Sequence, residues 1–189
     1  MGRIFVTSDT HFCHDRGFIY EPRGFESIDE MNEVIVEKWN FFVEPEDIVY
    51  HLGDVMLGGP TNLAGLKYIK QLNGEIRIIR GNHDTDQRVS LYRNECPNVE
   101  SVEAATYLRY KKYHFYLSHF PTLTGNLEKE SLSQVTVNLH GHTHSKNKFY
   151  NDIPYMYNVA MDAHNCYPVL LDDIIEDCKN KYQECIDQL

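Results

Sequence analysis

The chain has 189 residues, enough to bury well over half of the surface of its unfolded form as one domain over residues 1–189. Its 28 Asp and Glu outnumber 18 Lys and Arg for a formal charge of -10, which opposes tight nonspecific attachment to polyanions, so no long nucleic acid is expected as a partner. Apolar runs last only a few residues where a bilayer span needs roughly 20, and no membrane partner is expected.

Short β-branched and aromatic runs alternate with stretches of helical periodicity, the pattern of a layered α/β (α+β) domain containing sheet and helices. Ile4-Phe5-Val6 reads as a strand leading to Asp9 and His11. Ser27 and Glu30 then form a capping box ahead of a helix over 28–42, whose apolar stripe is Met31, Val34, Ile35, Trp39 and Phe42. Ile48-Val49-Tyr50 leads to Asp54. A second helix is expected from near Pro60, with the stripe Leu63, Leu66 and Ile69, stopping at Asn73-Gly74. Ile78-Ile79 leads to Asn82, and two strand-like segments from Tyr107 to Leu117 flank Lys111-Lys112 as a hairpin. Phe115-Tyr116-Leu117 runs into His119, Val135–Leu139 into His142 and His144, and Leu171–Ile186 reads as a closing helix.

An apolar strand followed at once by a potential metal ligand thus recurs five times, and strand ends are where such domains build sites. Asp9 and His11 stand two residues apart, as do His142 and His144, so in extended backbone each pair would project to one side. Gly53, Gly81 and Gly141 immediately precede Asp54, Asn82 and His142, where the missing side chain leaves room for close approach. One such residue alone would mean little, since a single His or Asp at a strand end is usually a satisfied hydrogen-bonding group.

The segments Asp9-Thr10-His11, Gly53-Asp54, Gly81-Asn82-His83-Asp84, His119 and Gly141-His142-Thr143-His144 resemble, in content and order, the calcineurin-like metallophosphoesterase superfamily. Asn158-Val159-Ala160-Met161-Asp162 is similar to the late strand of its small single-domain bacterial and phage members. The resemblance implies two packed mixed β-sheets flanked by helices, a four-layer sandwich. It implies one divalent ion on Asp9, His11 and His144, a second on Asn82, His119 and His142, and Asp54 bridging both. It makes His83 the expected proton donor to the leaving oxygen, the alternative being a residue that only braces its loop through a hydrogen bond, and Asp84 next to it is expected to orient the ring. Cys13 stands where similar small members often have glycine, which leaves the shape of the first loop open.

Oxygen and nitrogen ligands suit Mn²⁺, Fe or Zn²⁺, with Mn²⁺ the working choice. Two such ions share a water, lower its pKa towards about 7 and aim the bridging hydroxide at phosphorus. The expected substrate is a small phosphate ester: a phosphodiester of small or cyclic nucleotides, or else a monoester of a metabolite, nucleotide or phosphoprotein. A rival of another class is an interaction scaffold with little activity, like the retromer subunit similar to this fold. His14 and Arg23 are weak candidates for substrate phosphate, and Arg80, His51, His114 and His164 read equally well as supports of the site or as plain structural residues. The five cysteines, Cys13, Cys96, Cys166, Cys178 and Cys185, form no Cys-x-x-Cys pair and follow no secretory signal, and Val6 stands where a myristoylation motif wants Ser or Thr. A reducing, cytoplasmic setting is expected; oligomeric state is left open.

Overall fold

The computed structural model describes residues 2–57, 63–124 and 131–187. In chain order the elements are β1 (Ile4–Thr7), α1 (Gly17–Tyr20), α2 (Ile28–Phe42), β2 (Ile48–His51), α3 (Leu66–Ile69), β3 (Glu75–Ile79), α4 (Asp86–Glu95), β4 (Val99–Glu103), β5 (Thr106–Tyr110), β6 (Tyr113–Leu117), β7 (Thr136–His140), β8 (Met156–Asn158), β9 (Val169–Leu170) and α5 (Leu171–Asp187). Among the described residues the strands form two mixed sheets flanked by helices. The first has the order β4-β3-β2-β1-β9, parallel except for β9, and the second β5-β6-β7-β8, parallel after the β5–β6 hairpin.

The period-two alternation of a strand sorts neighbouring side chains into two cores. Phe5, Val49 and Ile78 join Ile35 and Trp39 of α2, Tyr68 of α3 and Tyr92 of α4. Their neighbours Val6, Tyr50 and Ile79 face Phe115, Val137, Leu139 and Tyr157 of the second sheet, together with Ile174 and Cys178 of α5. The central strands are apolar on both faces because both faces are covered.

Helix α2 has the expected bounds, and Met31, Ile35 and Trp39 are buried, but Phe42 at the end of the stripe is exposed. Ser27 accepts from the Glu30 N–H at 3.2 Å, whereas the Glu30 carboxylate takes the Glu26 N–H rather than that of Ser27, so half of the capping box forms. Among the described residues only a short part of the second expected helix forms. Residues 58–62 lie outside those described, Leu63 is exposed in a turn, and only Leu66–Ile69 is helical. Helix α4 and strand β4 had no counterpart in the sequence pattern, since α4 buries only Val89 and Tyr92 and shows little apolar periodicity. The hairpin turns at Lys111, which takes φ 53, and the closing helix runs one residue further than expected.

Behind the ends of β1 and β2 sits His51, buried and stacked on Trp39. Its Nδ1 accepts from the Gly53 N–H at 3.2 Å, so its Nε2 donates to the Thr10 hydroxyl at 2.9 Å, which in turn donates to the Val55 carbonyl. Only the neutral ring satisfies this arrangement, and burial pushes the imidazole down to about 4. An unfolded His titrates near 6.5, so between about 6.5 and 4 the unfolded chain binds the proton that the fold refuses. The stability associated with His51 is complete above about 6.5 and is lost as pH falls towards 4. Thermal melts of His51→Gln should show a lower Tm at pH 7.5 and a shallower fall in Tm from pH 7 to 4.5 than wild type; an unchanged slope would contradict this.

Candidate metal centre

Each expected ligand lies just past the C-terminal end of a strand: Asp9 and His11 after β1, Asp54 after β2, Asn82 after β3, His119 after β6, and His142 and His144 after β7. Asp9, His11, Asp54, His142 and His144 are not extended. Their φ values are 60, 49, 55, 70 and 49, so each pair reaches a common side through left-handed backbone. The turns are held by pairing between loops, with Asp9 N–H donating to the Gly53 carbonyl, His11 N–H to that of Asp54 and Phe12 N–H to that of Val55, each at 3.0 Å. Close approach explains the glycines. A Cβ on Gly81 would sit 2.2 Å from Asp54 Oδ1, and one on Gly141 would sit 2.2 Å from Asp9 Oδ2 and 2.0 Å from Ser8 Oγ.

The donors gather in two adjoining sets, Asp9 with His11 and His144, and Asp9 with Asp54 and His119. Asn82 extends the second set, its Oδ1 lying 3.0 Å from both His119 Nε2 and His142 Nδ1. The ring tautomers are fixed from behind. His119 Nδ1 donates to the Leu52 carbonyl at 2.7 Å and His144 Nδ1 to Asp162 at 3.1 Å, so both Nε2 lone pairs point inward. There His144 Nε2 faces His11 Nε2 at 3.2 Å, and both lie 3.7 Å from Asp9 Oδ1, a buried oxygen with no hydrogen bond. Lone pairs and carboxylates converging in this way need a cation between them. The residues therefore fit divalent metal ions.

Burial opposes ionisation of Asp9, but His11, His144 and His119 hold its carboxyl well below the usual carboxylate range. Asp54 is lowered likewise against burial, chiefly by His119. Asp9, His11, Asp54 and His119 are buried, whereas Asn82, His142 and His144 are open to solvent, so the centre has a floor and an accessible face.

A family model for calcineurin-like phosphoesterases matches residues 2–186. The chain belongs to the calcineurin-like phosphoesterase family. It is 32% identical over 180 residues to the uncharacterized protein MJ1445 of Methanocaldococcus jannaschii, covering 93% of this chain and 91% of that one. It is 29% identical over 166 residues to the gene 66 protein of Mycobacterium phage D29, covering 77% and 80%. The crystal structure of a protein of unknown function from Aquifex aeolicus shares the fold at a TM-score of 0.70 and 23% identity, covering 93% of this chain and 99% of that one.

Other residues of the chain divide by what they touch. Asp84 does not meet the His83 ring; its buried carboxylate accepts from the N–H groups of Asp54, Val55 and Gly81 and from the Tyr92 hydroxyl. His83 stands at the open face, with Nε2 3.9 Å from Asp54 Oδ2. His14 is within reach of the centre, its Nδ1 3.2 Å from that of His11 and its ring 5.9 Å from His83. Burial, with His11 and His83 nearby, pushes His14 down to about 4. Arg23 is committed elsewhere, its guanidinium buried against Asp162 at 2.8 Å and donating to the Asp9 carbonyl, so it braces the first loop instead of facing substrate. Cys13 keeps φ 61, the conformation for which glycine is the easy choice, and packs its sulfur against Asn32. Arg80 pairs with Asp86, His164 donates to the Asn158 carbonyl, and His114 is exposed in β6, away from its ligand-bearing end.

Asp162 was missed as a functional residue. It follows β8 as the ligands follow their strands, and that recurrence was the available signal. Its carboxylate, opposed by burial but held down to about 2 by His144 and Arg23, fixes the His144 ring. Replacing such a partner typically costs 10- to 100-fold in metal affinity. Asp162→Ala should weaken Mn²⁺ binding by about that factor in a chelator competition while the fold melts cooperatively; unchanged affinity would reject its role.

Proposed function

We propose that this phosphoesterase is a two-metal phosphodiesterase acting on small or cyclic nucleotides in a reducing, cytoplasmic setting. The carrying observation is a pair of adjoining donor sets that share Asp9, with Asp54 Oδ2 of the second set 3.4 Å from its own His119 Nε2 and 3.8 Å from His11 Nε2 of the first. A carboxylate so placed suits a bridge between two cations. Bound there, two divalent ions, Mn²⁺ by preference with Fe or Zn²⁺ as alternatives, would polarise a phosphoryl oxygen and supply a water acidified towards neutral pH.

The chain's own contributions follow from position. Asp9 and Asp54 offset only part of the charge of two divalent ions, so the acidic chain keeps a pocket attractive to a phosphate anion. His83 is held by its backbone, which donates to Asp54 Oδ1 at 2.8 Å, while its ring, 39% exposed, is free to reach a leaving oxygen on the open side. The rim of Asn82, His142 and His144 is solvent-facing, so the centre is accessible to a diester as well as to a monoester. A panel of mono- and diesters run with each metal tests the proposed preference for a diester.

The protein should load two transition-metal ions per chain by elemental analysis, and Asp54→Asn should lower the content at both sites and cut turnover by at least about 10³-fold. Near-normal activity with both ions retained would reject the bridge. His83→Ala should reduce kcat by about 10² to 10⁴ for an alkyl ester and far less for a nitrophenyl ester, whose anion departs unaided, with metal content unchanged. Equal losses on both esters would make His83 a positioning group.

A further inference from the structure

Phe120 follows the ligand His119 and is 50% exposed. A single exposed apolar side chain is ordinary, but the loop that carries this one is not. Asn138 of β7, fully buried, donates to Ser118 Oγ at 2.9 Å and accepts the Thr122 N–H at 2.8 Å. Ser118 Oγ in turn donates to the Phe120 carbonyl at 2.8 Å, and Thr122 Oγ1 donates to the same oxygen at 2.9 Å. A polar network rooted in the buried Asn138 and Ser118 thus fixes the chain on either side of Phe120 and Pro121, and a buried amide of this kind is costly unless its partners are in place. The outcome is an aromatic ring beside the open edge of the second donor set, near-perpendicular to His119 at 5.0 Å and tilted against His142 at 4.7 Å. Phe18, at the other donor set, is more exposed and touches His14, but it rides on a four-residue helix whose start has no side-chain cap.

We propose that Phe120 is the platform on which a nucleobase of the substrate stacks, making the centre selective for phosphate esters of nucleosides; this rests on the phosphoesterase reading above. The donor sets can hold a phosphate but offer nothing planar and apolar for the rest of a nucleotide. Stacking on an aromatic ring supplies that contact, tolerates any base, and needs no positive charge from an acidic chain.

The test compares thymidine 5′-(p-nitrophenyl phosphate) with methyl p-nitrophenyl phosphate, which share a leaving group and differ in the base. In Mn²⁺-loaded F120A, the ratio of kcat/KM for the thymidine ester over the methyl ester should fall by about 5- to 100-fold, mainly through KM, and F120W should preserve it. A readout independent of turnover comes from fluorescence, because the single tryptophan, Trp39, is fully buried. The indole introduced by F120W should be quenched by thymidine monophosphate and not by methyl phosphate. An unchanged ratio in F120A, or equal response of F120W to the two phosphates, overturns the proposal while leaving the hydrolase reading standing. Selective quenching in a protein that hydrolyses neither diester would support the stacking site and sink the phosphodiesterase reading.

Discussion

The buried Asp84 carboxylate accepts the N–H groups of Asp54 and Gly81 at 2.8 Å, that of Val55 at 3.2 Å and the Tyr92 hydroxyl at 2.9 Å. It thereby clasps the loop after β2 to the loop after β3 and anchors both to α4. Hydrogen bonds to an ionised group are each worth about 1.5–3 kcal/mol net, and removing the acceptor would strand three backbone donors in the interior. The Asp54 carboxylate, the Asn82 side chain and the His83 ring all hang from these two loops. Asp84 fixes where those groups stand.

The rest of the centre is held against its own backbone preferences. Five of the expected ligands adopt left-handed conformations that cost a non-glycine residue about 1–2 kcal/mol each. Bonds between loops offset this, including the His142 N–H to Asp9 Oδ2 at 3.0 Å, which ties the second sheet to the first. Parallel strands deliver their C-terminal ends to one side, and the sharp turns then swing the ligands inward. Strain of this kind persists because neighbouring loops determine each turn together.

Electrostatics follows the same division between a built interior and an open edge. Carbonyl and carboxylate acceptors behind His119 and His144 decide which ring nitrogen looks inward, so the donor atoms are oriented before any cation arrives. The net charge of -10 belongs to the chain as a whole, while the centre presents donors for cations and a rim of Asn82, His142 and His144 to solvent. A negative net charge and a centre built to receive cations are therefore compatible in one chain.

Sequence alone determined the strands that end in ligands, the long helix from Ile28, the hairpin at Lys111 and the family, because period-two patterning, capping residues and Gly-Asn-His-Asp with Gly-His-x-His are local in the chain. It missed α4, whose two buried residues leave almost no periodicity, and overextended the helix before Asn73, because Leu63 fits an apolar stripe and yet ends exposed. It also gave Asp84 to the wrong partner, left Asp162 without a role and offered Arg23 to substrate. Those three assignments depend on contacts between residues 29, 18 and 139 positions apart: Asp84 with Val55, Asp162 with His144, and Arg23 with Asp162. Residue type and spacing announce which side chains can bind a metal. Only the packing of two sheets decides which carboxylate joins the donor sets and which is spent holding the loops in place.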